Sequence, residues 1–351
     1  MGRRANILNP RRGRGQPAML KFDWIQVEVT SYCNAMCSYC PHTVYRDSWI
    51  NRHLDLDSFK KLVPSFSKTG LVFLQGWGEP LLHPNFFTMV ARAKETGCLV
   101  GTTTNGTLVD AVVAKEIVTS GIDILAFSLA GTGKDHNRWR RGTTLDQVLA
   151  AIGEVVAAKR RYRAVKPAIH VAYMLLRSGL ENLRQLPLLL QGRGIKQVVI
   201  STLDFVPSPE LAEEAVSFDD PQELARAKPL LDTVVREGEK RGLDIYYYLV
   251  DWNRPRELCT ENVLRSMFIG SDGSVAPCVF ASLPVSNHLL RHTCLGSIPY
   301  QKLHFGNVGE MQLEVIWEKP AYRDFRASFA LRKLYPICQG CPKLYAVTPE
   351  K

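Results

Sequence analysis

Residues 33–40 read Cys33-Asn34-Ala35-Met36-Cys37-Ser38-Tyr39-Cys40, three thiols within eight positions at C-x3-C-x2-C spacing. An alternating apolar run, Ile25, Val27 and Val29, comes directly before them and has the period-two pattern of a strand. The thiols therefore fall on a loop at the carboxyl end of a first strand. Three thiolates can hold three irons of a 4Fe–4S cube and leave the fourth iron open to a substrate. A structural zinc normally takes four protein ligands. A disulfide would leave one thiol over.

Outward from that loop, strand-like and helix-like runs alternate. Strands are expected at 22–30, 71–75, 99–104, 122–128, 167–174 and 197–203. Amphipathic helices are expected at 56–68, 84–96, 109–120, 145–161 and 181–192. Asp55 and Asp57 suit helix N-caps, and Pro84 suits a first turn. Gly70, Gly97, Gly121 and Gly194 suit helix C-termini. Such alternation implies parallel β–α units, an α/β fold. Residues 206–221, with Pro207, Pro209 and Pro221, read as a linker. A helix near 222–241 and an apolar strand, Ile245 to Val250, complete the segment 206–252. From 253 on the texture changes to short runs, many turns and five cysteines, a second and smaller domain.

Several strand ends carry motifs. Gln75-Gly76-Trp77-Gly78-Glu79-Pro80 follows the second strand, Thr102-Thr103-Thr104-Asn105-Gly106 ends the third, and Ser128-Leu129-Ala130-Gly131 ends the fourth. Taken alone, each is a turn signal. With the cysteine loop, the set resembles the radical S-adenosylmethionine (SAM) enzymes, over nearly all of the chain from about residue 20. The resemblance implies a partial (β/α)6 barrel over residues 19–205, with the chemistry at the carboxyl ends of its strands. Cys33, Cys37 and Cys40 would bind the SAM-chelating 4Fe–4S cluster. One electron from that cluster would cleave SAM to methionine and a 5′-deoxyadenosyl radical that takes hydrogen from a substrate. By the same resemblance Tyr39 lies against the adenine, and Gly76, Gly78 and Glu79 hold the SAM amino group. Asn105 and Ser128 would lie at the cofactor, and Arg141 would pair with the SAM carboxylate, a bidentate task that suits arginine. Two departures stand out. Trp77 interrupts the family's glycine pair, and Ala130 stands where the family's Ser-Leu-Asp-Gly has an acid.

In the second domain Cys259 is followed by 13 residues, then Gly273 and four more residues to Cys278, and later by Cys338-Gln339-Gly340-Cys341. Four soft ligands in that pattern suit a second 4Fe–4S cluster or a zinc ion. In this context the pattern is similar to the SPASM and twitch auxiliary-cluster domains. With five cysteines in the region, the shortened one-cluster twitch form is the closer fit. A fully ligated second cluster cannot bind SAM but can accept an electron, which suits net two-electron oxidation. A general acid or base would then lie between the clusters, with Asp204 and Asp251 as candidates. Cys294 is expected to be a buried thiol or a substrate-site residue, and Cys98 a plain core thiol. His42 reads equally as a loop histidine.

Composition bounds the rest. The 351 residues are 46% apolar, and no run approaches the roughly 20 apolar residues of a membrane span. Neither secretory cysteine pairing nor a signal segment appears, so a cytoplasmic protein is expected. The net charge of +10 is concentrated at the start: residues 1–18 hold Arg3, Arg4, Arg11, Arg12 and Arg14, a disordered basic arm by composition. The remaining excess is spread along the chain, which argues against nucleic acid as a partner. Met19 is an alternative start.

The opening from Ser31 to Arg46 is similar to the radical SAM maturases associated with tungsten-cofactor oxidoreductases. The leading expectation is thus a maturase that modifies a partner protein, a peptide or a cofactor-bearing enzyme, fed by a flavodoxin- or ferredoxin-type electron donor. A small-molecule or carbohydrate dehydrogenase is the alternative enzyme. An iron–sulfur electron carrier is the non-enzymatic one, although a carrier has no need of an open iron.

Overall fold

The computed structural model describes residues 21–216, 221–286, 289–293 and 296–348. The basic arm and Cys294 lie outside the described residues. The six expected strands appear as β1 (Phe22–Val27), β2 (Thr69–Phe73), β3 (Leu99–Thr104), β4 (Ile124–Leu129), β5 (Ala168–Met174) and β6 (Ile195–Ser201). Each pairs in parallel with the next.

The sheet continues beyond these six. The apolar run after the linker supplies β7 (Asp244–Tyr247), parallel to β6. The cysteine-rich region supplies β8 (Ser266–Ile269), parallel to β1 in the register Trp24↔Ser266. Two short antiparallel strands, β9 (Ser274–Ala276) and β10 (Gly306–Asn307), complete the order β10-β9-β8-β1-β2-β3-β4-β5-β6-β7. Among the described residues eight strands thus run parallel: the six expected of the barrel, the strand expected after the linker, and β8, which the sequence reading missed. β8 is four residues long and buried throughout, so it shows no alternation to read.

Helices cover one face of the sheet: α1 (Leu56–Phe66), α2 (Phe86–Lys94), α3 (Ala111–Thr119) and α4 (Leu145–Arg161). Asp55 caps α1 by accepting from the Ser58 N–H. A Thr144/Gln147 capping box opens α4. Gly97 and Gly121 take positive φ where their helices end, whereas Gly194, also at positive φ, lies directly before β6, three residues beyond the cap residue Gln191. Gly70 instead lies within β2, because α1 stops at Phe66. Pro84 falls outside α2, before its cap residue Asn85. The expected helix 181–192 is broken into a 3-10 turn, Glu181–Gln185, and a short helix, Leu186–Leu190.

Strand alternation divides the side chains into two sets. Ile25, Val27, Val72, Val100, Leu125, Phe127, Val171 and Ile200 join the core shared with the helices. Trp24, Leu71 and Phe73, with Leu99 and Ile124, form a separate cluster on the inner face of a partial barrel. Also pointing inward are Gln26, Thr103, Ala172, Val199 and Ser201, which line a cavity. A polar inner lining at this level is where the site lies.

Candidate active site and auxiliary cluster site

β1 delivers the cysteine loop. Within it Met36–Cys37 forms a two-residue antiparallel bridge with Arg140–Arg141, in the register Met36↔Arg141 and Cys37↔Arg140. Because side chains alternate along a strand, the bridge has two sides. Cys37 and Arg140 are buried, whereas Met36 and Arg141 are exposed. The guanidinium inside the site therefore belongs to Arg140, and Arg141, expected at the SAM carboxylate, faces outward. One residue of register separates the two, which no motif spacing resolves.

Arg140 donates to the Tyr39 hydroxyl at 2.7 Å, while its buried Nε has no hydrogen-bond partner. Tyr39 shares an apolar cluster with Ala130, Leu176, Leu203 and Val206, against which Cys33 and Cys40 pack. Burial raises the Cys33 thiol to about 11, helped by Glu79 and Cys37, with Arg140 pulling it down. Burial raises Cys40 as well, with further push from Cys37 and Cys33. Three thiols that repel one another's charge beside a buried guanidinium with an unsatisfied N–H fit a metal cluster and an anionic ligand group.

The turn after β2 packs against this loop. A Cβ on Gly78 would lie 2.3 Å from the Thr30 carbonyl, and one on Gly76 would lie 2.3 Å from Glu28 Cγ, so both positions require glycine. Glu79 is 2% exposed and accepts from Thr104 Oγ1 at 2.8 Å, the Asn105 N–H at 2.7 Å and the Leu81 N–H at 3.3 Å. Burial raises its pKa. The Asn105 amide donates to Asn34 Oδ1 in the cysteine loop at 2.8 Å. Glu79, Asn105 and the cysteines are thereby one assembly. Ser128 is half-buried at the carboxyl end of β4.

Cys259, Cys278, Cys338 and Cys341 line a single apolar cavity with Phe280, Phe325, Phe329 and Ile337. Burial pushes Cys259 up to about 12 and Cys278 well above the usual thiol range, and the other three thiols add to the shift of Cys278. Bare thiolates are disfavoured there, so a metal that neutralises four of them fits this donor set. Every described cysteine is a free thiol. Cys98 is buried in the main core, as expected.

A cavity of about 200 Å³ lies between the inner face of the barrel and the auxiliary loops. Gln26, Gln75, Thr103 and Ser201 line it from the barrel, and Thr260, Glu261, Val279 and Lys343 from the auxiliary loops. Thr260, Val279 and Glu261 are within two residues of Cys259 or Cys278, and Lys343 is two beyond Cys341. Lys343 Nζ lies 2.7 Å from Asp204 and 3.6 Å from Glu261. Burial opposes its charge, but the two carboxylates hold its pKa above the ordinary value. Asp204 is therefore engaged by Lys343, and Glu261 is the carboxylate on the cavity wall. Asp251 lies outside that wall and pairs with Arg254 at 3.4 Å. Spacing could not reveal Glu261 or Lys343, whose relevance depends on which cysteine loop faces the barrel.

Comparison with known proteins agrees with this geometry. The radical SAM superfamily profile matches residues 27–177, and the SPASM iron–sulfur cluster-binding domain matches residues 259–342. The chain is 28% identical over 326 residues to the tungsten-containing aldehyde ferredoxin oxidoreductase cofactor-modifying protein of Pyrococcus furiosus, covering 91% of this chain and 86% of that one. It is 23% identical to the AdoMet-dependent heme synthase of Methanosarcina barkeri, covering 92% of each. The fold is shared with Streptococcus suis SuiB bound to S-adenosylmethionine (TM-score 0.63, 14% identity, covering 92% of this chain and 73% of that one). It is also shared with anSMEcpe bound to AdoMet and a peptide (TM-score 0.62, 18% identity, covering 92% and 87%). The chain thus carries a radical SAM domain and a SPASM iron–sulfur cluster-binding domain, the two parts of an enzyme with a SAM-binding 4Fe–4S site in its barrel and an auxiliary iron–sulfur site beside it.

Proposed function

We propose that this enzyme abstracts hydrogen from a group held in the cavity between its barrel and its auxiliary loops, in the maturation of a partner protein or of its metal cofactor. The placement of that cavity carries the reading: a group inside it touches the SAM-binding turn through Gln75 and the auxiliary loops through Glu261 and Lys343. The similarity to a tungsten-enzyme cofactor-modifying protein over nine-tenths of the chain supports the maturase reading. The cofactors would supply the radical and accept an electron, which leaves binding, orientation and exclusion of water to the protein.

Its own residues divide that work. Glu79 and Asn105 would position SAM, and Arg140, through its unpartnered Nε, would take an anionic group of the cofactor. Cys33, Cys37 and Cys40 would hold the SAM-binding cluster, and Cys259, Cys278, Cys338 and Cys341 the auxiliary one. On the substrate side, the Glu261–Lys343 wall and the Thr260 hydroxyl, buried without a partner, would orient a polar group.

The test is anaerobic incubation of the reconstituted protein with SAM and dithionite, followed by assay for 5′-deoxyadenosine. Perdeuterated cell extract, split into protein and small-molecule fractions, is then supplied as the hydrogen source. Deuterium reaching 5′-deoxyadenosine from the protein fraction supports maturation. Deuterium from the small-molecule fraction alone would replace it with a metabolic dehydrogenase, and no 5′-deoxyadenosine at all would remove the enzymatic reading.

A further inference from the structure

The outward side of the cysteine-loop bridge is not used by anything described above. Met36 is 49% exposed and is joined by one peptide bond to the buried Cys37. Arg141 is its exposed neighbour across the bridge. Arg138 is exposed one turn earlier and lies over the Trp139 ring. The Trp139 carbonyl accepts from the Ser38 N–H at 2.9 Å, which ties this segment to the cysteine loop. Among the described residues, neither Arg138 nor Arg141 forms an ion pair. Three carboxylates belong to the neighbouring segments, and neither arginine is paired with any of them: Asp135 accepts from the Asn182 amide at 2.7 Å, Asp146 sits in the first turn of α4, and Glu214 accepts from the Ser178 N–H at 2.9 Å.

We propose that Met36, Arg138 and Arg141 form the docking surface for a small acidic one-electron carrier protein. An apolar side chain with one unpaired cation across the bridge and a second three residues earlier, bonded through the backbone to a buried cysteine of the SAM site, has the chemistry of a weak redox encounter surface. Such contacts are small, and charge steers them. The position also makes the electron's path short, since a single peptide bond joins Met36 to Cys37. The carrier gives up one electron and is oxidised, and the SAM-binding site accepts it. No bond is made or broken at the surface itself. The proposal rests on the radical SAM reading only for the need of that electron.

The test compares two reductants on the holoenzyme, a reduced flavodoxin and dithionite. Arg138→Glu and Arg141→Glu, singly and together, are assayed for 5′-deoxyadenosine formation and for bleaching of the visible cluster absorption. The double variant is expected to lose about tenfold or more of the flavodoxin-driven rate at low salt, with the dithionite-driven rate within about twofold of the parent. The parent's flavodoxin-driven rate should fall toward that of the variant as salt shortens the screening length to about 3 Å at 1 M. Equal losses with both reductants would place the arginines at the SAM site and overturn the proposal. So would unchanged rates with both, or no bleaching of the parent by flavodoxin. Loss of substrate turnover alone, with flavodoxin-driven SAM cleavage intact, would assign this face to the substrate protein instead. Bleaching without any 5′-deoxyadenosine would sink the enzymatic reading and leave the docking surface standing.

Discussion

The Trp77 indole N–H donates to the Val279 carbonyl at 3.2 Å, and Val279 follows Cys278 in the chain. The residue that interrupts the glycine pair of the SAM motif thus reaches the auxiliary cysteine loop. Its ring meets Phe205 and Phe280 edge-on, each at 6.0 Å between centroids, and the Trp77 backbone N–H donates to Glu28 Oε1 at 2.8 Å. Trp77→Phe keeps the ring and loses one hydrogen bond, a cost of about 1 kcal/mol. Trp77→Gly removes the strut altogether. The glycine variant is expected to raise the KM for SAM about tenfold, and the phenylalanine variant less than threefold. Steady-state 5′-deoxyadenosine assays check this, and a glycine variant with unaltered KM would show that the strut does not position the turn.

Arg140 and Arg141 should differ sharply on conservative replacement. Lysine cannot reproduce the planar fork of a buried guanidinium, and Arg140→Lys also disturbs the bond to Tyr39. With dithionite as reductant, Arg140→Lys is expected to slow SAM cleavage by about 100-fold, and Arg141→Lys by no more than about twofold. The reverse order would restore Arg141 to the SAM carboxylate.

The auxiliary site makes a countable prediction. Two cubes give about eight irons per chain, and loss of one leaves about four. A Cys278→Ala/Cys338→Ala variant should retain about four irons and dithionite-driven SAM cleavage while losing substrate turnover. Metal analysis of parent and variant decides it. One zinc in the parent that disappears from the variant would make the second site a structural zinc site.

Glu28 sets a pH dependence of stability. Burial raises its pKa to about 7 against the bonds from the Trp77 and Ser271 N–H groups and the Ser271 hydroxyl. A carboxyl whose pKa is raised on folding binds its proton more tightly in the folded state. Folded protein is therefore favoured at low pH, and this contribution is lost as pH rises from about 4.5 to about 7. At about 1.4 kcal/mol per pKa unit the change is on the order of 3 kcal/mol. Glu28→Gln, which places an amide N–H₂ before hydrogen-bond donors, should lower stability but remove that slope. Thermal unfolding of holoprotein and variant across pH 5–8 tests it, and parallel curves would show that Glu28 does not titrate there.

Much of this molecule is legible in the chain. Alternating strands and amphipathic helices locate six β–α units, because side-chain period and capping are local properties. Asp55 before Ser58 and Thr144 before Gln147 are caps that need only a few residues to act. The segments that escape such reading are short. β8 depends on lying beside β1, some 240 residues away in sequence, and has no pattern of its own.

The sequence by itself determined where the thiols cluster and in what order the β–α units follow, since both are matters of covalent spacing and local period. Only the tertiary structure decided which arginine turns inward, which carboxylate faces the cavity and what Trp77 and Glu28 hold together. Those choices rest on contacts such as Glu28 to Ser271, separated by 243 residues, and Trp77 to Val279, separated by 202. Burial sets their energies, and burial exists only once the barrel and the auxiliary loops have packed against each other.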